Sequence, residues 1–287
     1  MTLPPIKKNK ENPFLSFESD QDPIMVAARS QKSRIRWRYC IESQSQLVPS
    51  TQEDDNETIN IIALGRTGDG KSSLLNDLMG HAVFKQKASA RSQTKDIQES
   101  TGFWAPLHPF MHDRETFGCN IRVIDTPGFG DSQMRDQEFS IVIKEALMNT
   151  VQSIDGLHCI FLVFKISATL DTILKSMQSL ADLLSPNNDF WDNVILVFTH
   201  VDLVSDHQSR YQAQKVYLKT KVAKALQERY QYPHELPMAW ISTQKYTCGF
   251  LKGLGDCDCE RGNKYHADAR RRLYQQVTQR RHSPLRM

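Results

Sequence analysis

The 287-residue chain is 39% apolar and 24% charged, with a formal net charge of +3; this composition permits one large domain or two small ones around a substantial core. Its longest apolar run, Leu157 to Ile166, is broken by His158 and Lys165 and falls far short of the roughly 20 residues that cross a bilayer, so no membrane helix is expected. The small net charge hides an uneven distribution: residues 261–287 hold eight Lys or Arg against the single acid Asp268, so an electrostatic partner would meet the chain at its C-terminal end.

In chain order, Met1 to Lys10 carries Pro4, Pro5 and hydrophilic residues rather than an apolar segment with a cleavage site, and a cytoplasmic location is expected. Residues 1–57 mix Pro, Ser, Gln and acids, ending in Glu53, Asp54 and Asp55, and read as a largely disordered arm. Within it, Arg34 to Ile41 alternates arginine with Ile35, Trp37 and Tyr39. That period suits an edge strand or a partner-binding peptide better than a single-stranded nucleic-acid contact, and no nucleic-acid partner is expected. From residue 58 to 283 apolar runs alternate with helical patterns, and 284–287 read as a tail. The expected strands are Ile59–Leu64, Gly102–Phe110, Ile121–Ile124, Cys159–Phe164, Val194–Phe198 and Met238–Ile241. The expected helices are Lys71–Met79, Asp131–Val151, Leu170–Leu184, Gln208–Tyr230 and Ala267–Gln279. Strands this apolar are covered on both faces, so the reading is a three-layer α/β domain with a mostly parallel central sheet.

Cysteine usage agrees with a reducing compartment, because Cys40, Cys119 and Cys159 fall singly within expected strands, where a thiol acts as a small hydrophobe. Cys248, Cys257 and Cys259 cluster with His266, but their spacing matches no usual zinc-ligand pair, and a polar loop with reduced cysteines is expected there.

Three motifs carry chemistry. Gly65-Arg66-Thr67-Gly68-Asp69-Gly70-Lys71-Ser72, followed by Ser73, fits the phosphate-loop pattern between an apolar strand and a helix. Successive backbone N–H groups and the positive helix end converge there on one point; Lys71 reaches the terminal phosphates and the Ser72 hydroxyl is an Mg²⁺ ligand. The second motif, Asp125-Thr126-Pro127-Gly128, ends the third strand. Asp125 there is a metal-holding carboxylate, and the Gly128 amide senses a γ-phosphate. The third, Phe198-Thr199-His200-Val201-Asp202, places at the same sheet edge a carboxylate that accepts guanine's N1–H and exocyclic amine, a donor pair adenine lacks. His200 would stack on the base beside Thr199.

Order and context of these motifs resemble the septin-like branch of the translation-factor-related GTPases. The run DTPGFGD looks like the septin switch, while GRTGDGKSS and Thr-His-x-Asp are most similar to the immunity-associated, avirulence-induced-gene-type GTPases. The resemblance covers about Thr58 to Thr243 and implies a P-loop G domain that binds GTP or GDP with Mg²⁺. It also implies a switch-one threonine as a catalytic and metal ligand, matched by Thr94 in Ala88 to Thr94 with Thr101 as the alternative, and a last base-contacting loop at Ser242 and Thr243. Where many GTPases place a water-orienting glutamine, this chain has Phe129, so slow intrinsic hydrolysis is expected. Members of the branch pair G domains across the nucleotide, which implies a homodimer contacting Arg66 or Asp69, and an unknown effector. Arg270, Arg271, Arg272, Arg280 and Arg281 around Leu273 and Val277 read either as a solvated face or as a weak contact with an anionic membrane, making the protein peripheral there. The function expected is a guanine-nucleotide switch with slow or dimer-assisted hydrolysis. The alternative is a nucleotide-stabilised scaffold with little turnover, and an ATP-dependent kinase is disfavoured by Asp202.

Overall fold

The computed structural model describes residues 58–84, 97–106, 118–128, 133–153, 155–184, 189–201, 209–242 and 259–286. The arm, Thr94, Phe129, Asp202, Thr243, Cys248 and Cys257 lie outside the described residues. The elements are β1 (Ile59–Gly65), α1 (Lys71–Met79), β2 (Gln98–Trp104), β3 (Cys119–Asp125), α2 (Gln133–Val151), β4 (Cys159–Lys165), α3 (Leu170–Leu184), a 3-10 turn (Asp189–Asn193), β5 (Val194–Thr199), α4 (Ser209–Tyr230), β6 (Met238–Trp240) and α5 (Cys259–Thr278). The six strands form one sheet in the order β2-β3-β1-β4-β5-β6. Every neighbouring pair is parallel except β2 with β3.

Alternation along β1 explains the three layers. Ile59, Ile61 and Ala63 pack on one face with Leu74, Leu75 and Leu78 of α1 and with Ala269, Leu273 and Val277 of α5. Ile62 and Leu64 pack on the other with Ile143 and Leu147 of α2, Ile173 and Met177 of α3, and Leu218 and Val222 of α4. The period-two pleat feeds one strand into two cores, and each fully buried Leu or Ile contributes about 1.5–3 kcal/mol. Leu273 and Val277, the thin apolar stripe of the basic helix, are spent on this core. α3 begins where Thr169 caps it, its Oγ1 accepting the Thr172 N–H at 3.3 Å.

Two elements differ from the sequence reading by more than two residues at a boundary. The strand expected over Gly102–Phe110 runs over Gln98–Trp104 instead. As a half-exposed edge strand it pairs antiparallel with β3 from Gln98 opposite Asp125 to Trp104 opposite Cys119, and its polar start Gln-Glu-Ser-Thr carries no apolar alternation. α5 begins at Cys259, eight residues before the expected Ala267, because its first turns are polar and contain Gly262, which masks the helical period. The segment set aside as a tail is tied to the sheet: Leu285 N–H donates to the Leu157 carbonyl at 2.8 Å and Leu157 N–H returns the bond at 3.0 Å. Cys119 and Cys159 are buried free thiols, as expected of reduced core cysteines; burial pushes the Cys119 thiol up to about 11 and leaves both unreactive.

Candidate functional site: the phosphate loop and its sheet edge

Because β1, β3, β4 and β5 run parallel, their carboxyl ends bring Gly65, Asp125, Lys165 and Thr199 to one edge of the sheet, the place where open α/β sheets bind ligands. Gly65 leaves β1 with φ +155°, and a Cβ there would stand 2.3 Å from the Val163 carbonyl oxygen. No other residue fits so close an approach. Gly70 then caps α1 in the left-handed region, φ 88°, turning the chain so that α1 starts with its free N–H groups toward the loop.

Inside the loop, the Arg66 N–H donates to the Asp69 carboxylate at 3.1 Å and the Asp69 N–H to the Arg66 carbonyl at 3.2 Å. Burial pushes the Asp69 carboxyl up, opposed by the Arg66 amide and by the charges of Lys71, Lys165 and Arg66. Lys71 is buried, its Nζ donating to the carbonyls of Gly65 at 2.8 Å and Arg66 at 3.1 Å. The ammonium thus lies folded over the loop. The Ser72 hydroxyl, in the first turn of α1, donates to Asp125 Oδ2 at 2.5 Å, and Ser73 follows it half-buried.

Asp125 is buried, and its Oδ1 has no hydrogen-bond partner among the described residues. Desolvation pushes its carboxyl up, against the Ser72 hydroxyl, the Lys71 charge and the Thr126 amide. An orphaned buried carboxylate oxygen next to a hydroxyl is the donor set a hard divalent cation takes, so Ser72 and Asp125 fit Mg²⁺. Thr126 fixes this strand end by donating its hydroxyl to the Ala63 carbonyl at 2.7 Å. Gly128 closes the described part of the segment.

Thr199 faces the phosphate loop rather than open space. Its Oγ1 donates to the Asp69 carbonyl at 2.6 Å, lies 3.2 Å from the Phe164 carbonyl, and stands 2.8 Å from His200 Nδ1. The threonine expected at the base therefore links the base motif to the loop. His200 sits in the left-handed region, φ 60°; burial first and the Lys165 charge second push its pKa down, which favours the neutral ring. Ser242 follows β6 and is buried. His266 of α5 hydrogen-bonds its backbone, so the histidine weighed as a zinc ligand packs against the last loop of the site.

Sequence reasoning missed the place of Lys165 at the site, the tie of Thr126 to β1, the contact of His266 with Ser242 and the ion pair of Arg270 with Asp77. That pair is bidentate at 2.6 and 2.7 Å and docks α5 on α1. Only Lys165 left a signal, as a lysine closing an otherwise apolar strand at the ligand edge.

A mostly parallel sheet covered on both faces, with a phosphate loop after its first strand, defines a P-loop nucleotide-binding G domain. The AIG1 family pattern matches residues 59–234, more than half of the chain, and the chain belongs to that family. Among curated relatives, Immune-associated nucleotide-binding protein 7 of Arabidopsis thaliana is 31% identical over 151 residues, 51% of this chain and 42% of its own length. GTP-binding protein A of Dictyostelium discoideum is 31% identical over 149 residues, 50% of this chain and 28% of its own. Septin-9 of Mus musculus is 32% identical over 108 residues, 37% and 18% of the two chains. The matched part is thus less than half of these relatives' length. Toc33 from Arabidopsis thaliana in complex with GDP and Mg²⁺ has the same fold, with a TM-score of 0.53 at 14% identity, over 86% of this chain and 92% of that one. A structure of the chloroplast translocon components atToc33 and psToc159, for which dimerization is described as important for GTPase activity, gives 0.55 at 14% identity over 85% and 89%.

Proposed function

We propose that the chain is a Mg²⁺-dependent guanine-nucleotide switch that hydrolyses GTP to GDP and phosphate, slowly alone and faster when a second copy faces it across the nucleotide. The Ser72–Asp125 pair carries the reading: a buried carboxylate with one oxygen on a hydroxyl and the other without a partner among the described residues, beside the Lys71 ammonium. The AIG1 membership and the guanine-nucleotide names among relatives and structural neighbours support it.

In this reading Lys71 exchanges the Gly65 and Arg66 carbonyls for β- and γ-phosphate oxygens, and the amides of Gly68 to Ser72 cradle the phosphates. Ser72, Asp125 and Thr94 would hold Mg²⁺, which would supply neutralisation of phosphate charge. Water attacks the γ-phosphorus in line, and the bond to the β–γ bridging oxygen breaks, giving GDP and phosphate. Thr94 and Gly128 report the γ-phosphate, while His200, Asp202 and Ser242 receive the guanine. Phe129 cannot hydrogen-bond the attacking water, so the missing group comes from the facing copy, with Arg66 and Asp69 at the contact. Any effector meets the ordered switch loops.

Contact of α5 with an anionic membrane is the weaker part of the proposal. Its apolar stripe is buried, Arg270 is held by Asp77, and Arg280 donates to the carbonyls of Asp192 and Gln276, which leaves α5 no apolar stripe to insert. Single-turnover hydrolysis tests the switch. The rate constant should rise with protein concentration from a slow limit. Fast turnover independent of concentration rejects the dimer-assisted step, and no phosphate release at any concentration favours the scaffold reading that Phe129 allows.

A further inference from the structure

β4 ends in Lys165, and the two strands beside it place that residue between the motifs described above. Across β1, Val163 is the register partner of Gly65, where the phosphate loop begins. Across β5, Lys165 is itself the partner of Thr199, where the base motif begins. The last residue of β4 therefore stands between the part of the site that takes phosphates and the part that takes a base.

Its side chain turns toward the loop. A Cβ built on Gly68 would stand 3.6 Å from Lys165 Nζ, and the charge is near enough to act on Asp69 on one side and His200 on the other. Among the described residues the exposed ammonium has no hydrogen-bond or ion-pair partner. Lys71, the other lysine of the site, is buried on loop carbonyls. The loop also carries an acid, Asp69, whose charge opposes bound phosphate, and Lys165 offsets it. In a nucleotide the segment joining phosphates to base is the ribose and its α-phosphate, rich in acceptors that suit an ammonium donor.

We propose that Lys165 is a nucleotide-contacting residue, its ammonium donating to the ribose and α-phosphate between the phosphate loop and the Thr199–His200 turn. The proposal rests on the guanine-nucleotide reading. It adds to that reading a second cation, outside the three motifs, that holds the nucleotide whatever the number of phosphates.

The test is the affinity of the full chain for GMP, GDP and a non-hydrolysable GTP analogue, with Mg²⁺, compared with Lys165→Ala and Lys165→Arg. Loss of one charge-assisted contact predicts about a tenfold weakening for all three ligands in Lys165→Ala and partial rescue in Lys165→Arg. The side chain is exposed, so the unliganded melting temperature should not change. Equal affinities in parent and Lys165→Ala overturn the proposal and leave the guanine-nucleotide reading standing; no guanine-nucleotide binding by the parent overturns both. Repeating the comparison in Asp69→Asn isolates direct contact: a persistent tenfold loss supports it, and loss of the effect there means that Lys165 acts only by neutralising Asp69, which overturns it.

Discussion

Gly65 shows how tightly one residue is constrained by the site it opens. With φ +155° and the Val163 carbonyl 2.3 Å from any Cβ, a side chain there would push two paired strands apart. Overpacking against backbone costs about 3 kcal/mol, so Gly65→Ala should lower the unfolding free energy by that amount, moving the denaturant midpoint down, and weaken nucleotide binding with it; an unchanged midpoint in denaturant titration would show that the loop relaxes. The residues of the phosphate loop were legible in the sequence because backbone cradling needs glycine at set intervals before Lys-Ser, and Asp125 was legible because it ends an apolar strand. Thr199 was legible as part of a motif but not in its orientation, since nothing local shows that its hydroxyl closes on the Asp69 carbonyl 130 residues away in sequence.

At the scale of elements, α5 joins the site to the opposite end of the chain. Its Arg270 grips Asp77 of α1, the helix that the phosphate loop opens, and its His266 supports Ser242. Desolvation first, then the Arg270 charge, push the His266 pKa below the ordinary 6.5, against the raising effects of Asp77 and the Ser242 backbone. The folded state therefore favours the neutral ring, and below about pH 6.5 the unfolded chain binds more protons. Stability contributed by His266 is whole above that value and is lost as pH falls from it through the lower folded-state value. His200 shifts in the same direction. Thermal melts should thus fall between pH 7 and pH 5.5, with a smaller slope in His266→Gln; an identical slope would remove His266 as a source. Neither contact was readable in the sequence, because α5 starts in polar residues around Gly262 and the partners lie about 24 and 190 residues away. The helices with clear apolar stripes, such as Leu170–Leu184, were readable to the residue.

For the whole molecule, strand–helix alternation was enough to specify a three-layer sheet, since both faces of β1, β4 and β5 are buried and only helices on each side achieve that. The antiparallel β2 edge escaped this logic because an exposed strand has no apolar period to read. Net charge proved a poor guide to function: of the arginines that concentrate it at the C-terminal end, Arg270 and Arg280 are engaged within the fold, while Lys165, a further cation at the ligand edge of the sheet, sits in an apolar run.

The central claim is that one loop binds guanine nucleotide with Mg²⁺, and calorimetric titration of GDP and ADP into the full chain, with and without Mg²⁺, and into Lys71→Ala tests it most directly. The account predicts GDP binding strengthened by Mg²⁺, ADP weaker by at least about a hundredfold because a mismatched base leaves the Asp202 carboxylate unpaired, and no binding of either by Lys71→Ala. Equal affinity for ADP and GDP, or undiminished GDP binding by Lys71→Ala, would contradict it.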